Sequence, residues 1–270
     1  IPQDFEVDIQ GIKTKDPTFG LDAVWVSGKH RIEAEKYGLS VIEAGAVITT
    51  HLMELLKKNA YKLIDRQMTK KLIDNVKESH SQLVEELIPD QMKVGDVQKV
   101  LRKLLRERVP IRDMVTILET LADQRSNTQN NDVLAEYVRA GLAETITRQF
   151  RDSSMEVHVI VFDPQLESHL IAQAQQGNLN PSTLGFTPET VEKLYIAATR
   201  VFEKMMNSGH EPALLTSPVL RPTVYEFLNP ILPELSVLSY NDITMDTQIK
   251  TFDKLALTMT ANQVPAGKGR

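Results

Sequence analysis

The residues best able to do chemistry in this 270-residue chain are its six histidines, His30, His51, His80, His158, His169 and His210. None stands at the H-x-H or H-x-x-x-H spacing by which one strand or helix presents two metal ligands. His158, on an expected strand, and His169, on the helix expected to follow it, are the pair that folding could bring together; a satisfied structural or surface histidine is the more ordinary role. There is no cysteine, hence no thiolate nucleophile, disulfide or cysteine-ligated zinc. The G-x-S-x-G pattern of a nucleophilic serine does not occur. Glu85 with Glu86, and Glu119 with Asp123, fall on amphipathic helical patterns, where a solvated face explains them. No catalytic residue, metal ligand or cofactor is assigned.

A phosphate cradle needs glycines whose backbone N–H groups can approach the anion. Asp163-Pro164 and Ser217-Pro218, expected helix starts, offer instead a negative charge and prolines that lack the donor. Gly267-Lys268-Gly269 has no flanking strand. From Lys93 to Arg112 the chain is biased to bases, with Lys93, Lys99, Arg102, Lys103, Arg106, Arg108 and Arg112 against Asp96, Glu107 and Asp113. Lys99, Arg102, Lys103 and Arg106 read as the wet side of a helix whose dry side is Val97, Leu101, Leu104 and Leu105. No aromatic for base stacking lies in that stretch. The unusual segment is Asp16-Pro17-Thr18-Phe19-Gly20, where a bulky aromatic stands among turn residues beside a carboxylate. Such a residue is either a plug into the core or an exposed anchor for a partner. Trp25 falls in a strand pattern and is expected in the core.

The elements that must position these residues follow from hydrophobic spacing. Residues 5–9 alternate as a half-buried strand, 11–20 read as a loop, 21–26 as a strand, 31–37 as a short helix closed by Gly38, and 39–42 as another strand. From Glu43 the period changes: Val47, Ile48, Leu52, Leu55 and Leu56 recur at three- and four-residue intervals, with Lys57 and Lys58 placed to suit the negative end of a helix. Further helices are expected around Leu72, Ile73 and Val76, over 83–88 ended by Pro89, around Val97 to Leu105 ended before Pro110, over 111–121, and over 133–146 with Asp132 as cap. Beyond Arg151, strands at 157–162, 213–216 and 235–238 alternate with helices, which implies a small, mostly parallel sheet. Asp163-Pro164, Thr187-Pro188 and Ser217-Pro218 each place a capping side chain before a proline suited to the first helical turn. Past Asn241 periodicity fades.

Composition bounds the class. Hydrophobic residues make up 41% and charged residues 25%, ordinary globular usage that excludes a disordered or fibrous chain. The net charge of −5 argues against a dedicated binder of nucleic acid or anionic membrane. No run approaches the roughly 20 apolar residues that cross a bilayer. Ile1-Pro2-Gln3-Asp4 lacks a basic region leading into an apolar one. The expectation is a chain soluble as given and suited to a reducing cytoplasm, and its start without Met suggests a fragment or a recombinantly expressed piece.

Several blocks then carry a resemblance: Lys13-Thr14-Lys15-Asp16-Pro17-Thr18-Phe19-Gly20-Leu21-Asp22-Ala23-Val24-Trp25, then Val41-Ile42-Glu43-Ala44 and Thr50-His51-Leu52, then Val109-Pro110-Ile111-Arg112-Asp113-Met114 running on to Ala122, with Leu220-Arg221-Pro222 and Leu235-Ser236-Val237-Leu238-Ser239 beyond. In order and spacing they resemble the cytoplasmic domain of the flagellar type III export gate family, FHIPEP. The resemblance covers nearly the whole chain and is weakest after Asn241. It implies a protein-docking platform, not an enzyme, at the cytoplasmic face of the bacterial inner membrane. Its expected partners are export chaperones with bound substrates, other export-apparatus components, and further copies in a ring of the nonamer type. No nucleic acid is expected, and the membrane is reached only through an N-terminal half absent here. The family's docking dimple maps residue by residue onto Asp16, Phe19 and Thr50, with Pro110 close to that surface, which favours the exposed anchor for Phe19.

The expected architecture is α+β with several subdomains: residues 1–43 carrying the docking loop, a helix over 44–64 completing a first subdomain whose earlier part is absent, a helical subdomain over 65–145, an α/β subdomain over 146–258 and a flexible tail over 259–270. Pattern changes near Glu43, Asp65 and Phe150 mark candidate hinges. The alternative in another class is a soluble α/β enzyme or nucleotide-binding protein using the C-terminal sheet.

Overall fold

A computed structural model of the chain describes residues 10–18 and 21–257. The expected strand over 5–9, Phe19 itself and the tail beyond 257 lie outside the described residues. The chain divides into two compact units, Ile1–Asp65 and Arg66–Arg270.

The first unit holds an antiparallel hairpin of β1 (Gly11–Lys15) and β2 (Asp22–Val26), then α1 (Arg31–Lys36) and the long α2 (Ala44–Leu63). Two expectations fail here. Residues 11–15 form a strand, because Ile12 and Thr14 pair across from Trp25 and Ala23, and a ladder supplied by the partner strand overrides the loop-like composition of this stretch. Residues 39–42 form no strand. Gly38 closes α1 as expected, with φ +73°, a left-handed conformation that glycine adopts without steric cost.

The second unit begins with a helical bundle: α3 (Arg66–Lys77), α4 (Ser81–Leu87), α5 (Val94–Arg106), α6 (Met114–Arg125), α7 (Asn131–Gly141) and α8 (Ala143–Phe150). Ile73, Leu87, Val97, Leu101, Leu104, Ile117, Leu121, Leu134 and Val138 form its buried interior. The single helix expected over 133–146 is two, joined at Leu142. Its cap is Asn130, whose side chain accepts from the Asp132 N–H at 2.8 Å, in place of Asp132 itself. At Gly141 a Cβ would come within 2.8 Å of Thr120 Oγ1, so α6 and α7 approach more closely than a larger residue allows.

The α/β part follows: β3 (Glu156–Phe162), α9 (Pro164–Gln175), α10 (Pro188–Asn207), β4 (Ala213–Thr216), α11 (Arg221–Leu228), β5 (Ser236–Ser239) and β6 (Gln248–Leu255). The strands make one parallel sheet in the order β5-β4-β3-β6. Its core joins Phe162, Leu166 and Leu170 to Leu194, Leu214, Val224 and Phe227. Strand β6 is an addition to the expected sheet: as an edge strand it carries Lys250, Asp253 and Lys254 and leaves most of its residues exposed or half-buried, the charged composition that guards a sheet edge. Asp163 and Thr187 cap α9 and α10 as expected. Ser217-Pro218 instead opens a turn, and α11 starts three residues later with Pro222 in its first turn.

Bundle and sheet are tied by buried ions. Arg139 of α7 donates to Glu107 Oε2 at 2.9 Å and grips Asp242, just after β5, through Nε at 3.2 Å and Nη2 at 2.9 Å. Arg221, at the start of α11, donates to the same Glu107 oxygen at 2.5 Å and makes a bidentate pair with Glu136 of α7. Arg221 has 0% exposure and Asp242 1%. Burial opposes the charge on Arg221, but Glu107 and Glu136 outweigh it and hold the guanidinium protonated beyond its usual range. Lys103, 3.8 Å from Glu136, balances the two arginines and three carboxylates.

Removing one partner of a buried ion pair strands the other, at a cost of about 3–5 kcal/mol. Arg221→Ala is therefore expected to lower the stability of this unit by about that much in urea denaturation, and a loss under about 1 kcal/mol would contradict the assignment. Tyr225, whose hydroxyl donates to the Arg106 carbonyl at 3.1 Å, is pushed up to about 12 by burial and by Glu107. Its raised value means that stability is whole below the unfolded tyrosine value of about 10 and falls as pH rises from there toward 12. Spectrophotometric titration should show Tyr225 as the last tyrosine to ionise, and Tyr225→Phe should remove that final step.

Candidate functional site

In the first unit Asp16, Pro17 and Thr18 follow β1 at the tip of the β1–β2 hairpin. The turn is built by its own residues: the Asp16 N–H donates to the Leu21 carbonyl at 2.7 Å, and Asp16 Oδ1 accepts from the Thr18 N–H at 3.0 Å. This is the local side-chain turn that aspartate favours, and it fixes the orientation of the Asp16 carboxylate. Lys15 and Asp22 pair at 3.0 Å at the base of the loop, both exposed.

Thr50 lies exposed on α2, followed by His51, whose Nδ1 is enclosed without a hydrogen-bond partner. The helix buries none of its residues: Ile48, Leu52, Met53, Leu55, Leu56 and Leu63 all remain exposed. Contiguous apolar surface of this kind marks an interaction face. Spacing alone assigns such positions to a core, so the exposure of the stripe escapes sequence reasoning. Trp25 is a correction of the same sort: it is 44% exposed, because β1 and β2 form a two-stranded sheet, and a lone hairpin has little with which to cover both its faces.

Pro110 belongs to the second unit, in the link between α5 and α6. It lines an open cavity of about 350 Å³ with Arg112, Asp113, Thr145, Arg148 and Gln149. Asp113 is committed locally, accepting from the Thr116 N–H at 3.1 Å and its hydroxyl at 2.7 Å to cap α6. Asp16 and Thr50 thus share one compact unit, Pro110 stands in the other, and Phe19 lies outside the described residues.

The other candidate chemistries resolve differently. His158 stacks on His210 at 4.1 Å between ring centroids, while His169 stacks on Phe186 at 5.3 Å, so the two histidines singled out by sequence have separate partners. In the basic stretch, Lys99 pairs with Asp96, and Lys103 with Asp132 and Glu136. At the carboxyl edge of the sheet, Glu167 accepts from the Ser217 N–H at 3.0 Å and the Thr216 hydroxyl at 2.9 Å. Asp163 takes the Gln165 N–H. Carboxylates thus occupy donors that a phosphate would need.

A half-exposed hairpin and an apolar helix in one unit, and a helical bundle fused to a parallel sheet in the other, define a multi-subdomain α+β protein. Comparison with known proteins gives the family. The FHIPEP family profile matches residues 1–248. The flagellar biosynthesis protein FlhA of Bacillus subtilis (strain 168) is 39% identical over 246 residues, 90% of this chain and 36% of that protein. The chain belongs to the FHIPEP family. It spans about a third of the length of the FlhA relatives it matches. Among solved structures, the Chlamydia pneumoniae CdsV protein superimposes with a TM-score of 0.76 at 22% identity, over 94% of this chain and 73% of that one. The nonameric EscV cytosolic domain from the type III secretion system does so with a TM-score of 0.69 at 25% identity, over 87% and 69%.

Trp25 is the sole tryptophan and stands one residue before the end of β2. Its fluorescence is expected to be that of a solvated indole, red-shifted and readily quenched by acrylamide. A blue-shifted, protected emission from the isolated chain would contradict its placement.

Proposed function

We propose that this chain is the cytoplasmic docking platform of a flagellar type III protein export gate, which binds chaperone–substrate complexes and orders their transfer to the export channel. Its role is recognition and handover, with no catalysis. The observation that carries this reading is the Asp16 turn, which fixes a carboxylate at the hairpin tip in the unit whose long helix leaves its apolar stripe uncovered. An aromatic supplies buried area while a carboxylate and a hydroxyl fix orientation, the usual division of labour in a small docking dimple. Asp16, Phe19 and Thr50 are the residues assigned to it, and Pro110, with an open cavity beside it, is assigned to the same docking function.

The flagellar relatives support the biological setting, and the nonameric EscV domain supports assembly of this chain into a ring of the same kind. Other export-apparatus components are its further partners. The full-length protein is placed at the cytoplasmic face of the bacterial inner membrane, held by a membrane half outside this chain. Among the described residues no helix is long and apolar enough to cross a membrane, so the anchoring role falls outside them.

Calorimetric titration of the chain with a flagellar chaperone bound to its filament-type substrate tests the reading. Wild type is expected to bind, with Phe19→Ala and Asp16→Ala each losing at least tenfold, about 1.4 kcal/mol, while remaining folded. Equal affinity in the variants would overturn the site, and absence of wild-type binding would overturn the docking function.

A further inference from the structure

At the amino-terminal end of β3 two carboxylates and an imidazole converge. Asp152 lies in the tight turn before the strand, and Glu156 and His158 stand two apart on β3, which puts them on one face of the sheet. His158 Nε2 is 3.3 Å from Asp152 Oδ2 and 3.9 Å from Glu156 Oε2, and one donor atom from each of the three lies within 4.8 Å of the others. A zinc-type ion holds nitrogen and oxygen ligands at about 2.0–2.1 Å, so tetrahedral ligands stand about 3.3 Å apart. The first separation already has that value, and the second reaches it with a side-chain movement of about half an ångström.

Each donor is also held from behind. Asp152 Oδ1 accepts from the N–H groups of Ser154 at 2.8 Å and Glu156 at 3.0 Å, which turns Oδ2 toward the imidazole. Lys250, on the adjacent β6, lies 3.3 Å from Glu156 Oε1 and leaves Oε2 on the cluster side. The His210 ring stacks on His158 at 4.1 Å, and Phe252 packs edge-on against His210 at 5.6 Å. Outer contacts of this kind orient metal ligands and sharpen a site. With Lys250 counted against the two carboxylates, the cluster keeps one net negative charge to attract a cation, and a neutral imidazole with its N–H on Nδ1 offers the Nε2 lone pair to the ion.

We propose that Asp152, Glu156 and His158 form a binding site for a single divalent transition ion of the zinc type, its remaining positions filled by water. The site would clip the turn before β3 to the strand that follows.

Titration of the untagged, chelator-stripped full chain with zinc chloride, followed by calorimetry, tests this. The wild type is expected to bind one equivalent saturably, and His158→Gln and Asp152→Asn each to weaken binding at least tenfold. His80→Asn should bind like wild type, and Lys250→Ala at least as tightly. Circular dichroism of each metal-free variant checks that the fold is kept. Absence of saturable binding by the wild type, or wild-type affinity in both His158→Gln and Asp152→Asn, would overturn the proposal.

Discussion

Arg221 carries a full charge in a position with no solvent exposure, and much of the second unit is arranged so that it can do so. The charge is tolerable because Glu136 meets it with both oxygens and Glu107 meets it and Arg139 with one. Arg139 in turn needs Asp242, and Asp242 is held by the N–H and hydroxyl of Ser239 at 2.7 and 3.1 Å. The end of α5, the middle of α7, the start of α11 and the turn after β5 must therefore all be in place together. Such clusters add little net stability over an apolar core, but any slip of one element strands a charge in a low-dielectric interior. In this arrangement of bundle and sheet every one of those charges is paired. The link carrying Pro110 follows directly from Glu107 and inherits that fixed position.

The first unit is built the other way. Its long helix buries nothing, its hairpin has two strands, and Trp25 and Tyr37 are exposed. Few buried contacts mean low local stability, the condition from which binding surfaces are drawn. What is fixed there is local: the Asp16 turn needs only the hydrogen bonds of its own backbone and side chain. In the proposed function, the loosely built unit presents Asp16 and Thr50, while Pro110 stands on the tightly fitted body.

Much of the bundle was legible in the sequence because α5 and its neighbours bury residues at regular three- and four-residue intervals, and local spacing is all that such helices require. The caps Asp163 and Thr187 were legible for the same reason. Strand β6 was not, because an edge strand advertises charge instead of alternation, and Trp25 was misplaced because a period of two says which side chains share a face but not whether anything covers it. Ser217-Pro218 has the chemistry of a helix start, yet the Glu167 carboxylate takes the Ser217 N–H and the helix waits for Arg221. The ion cluster was invisible for a different reason: Arg221 meets partners 85 and 114 positions away, and no local pattern records such a pairing. Asp16, Phe19, Thr50 and Pro110 were reached through resemblance to a family; the residues themselves left Phe19 open between plug and anchor.

The claim that the buried ions make bundle and sheet one cooperative body is tested most directly by native-state hydrogen exchange across a denaturant series. Amides of α7 and of β4 should converge on a single opening free energy equal to that of global unfolding of the unit. Separate isotherms for the two, with β4 opening while α7 stays protected or the reverse, would contradict it.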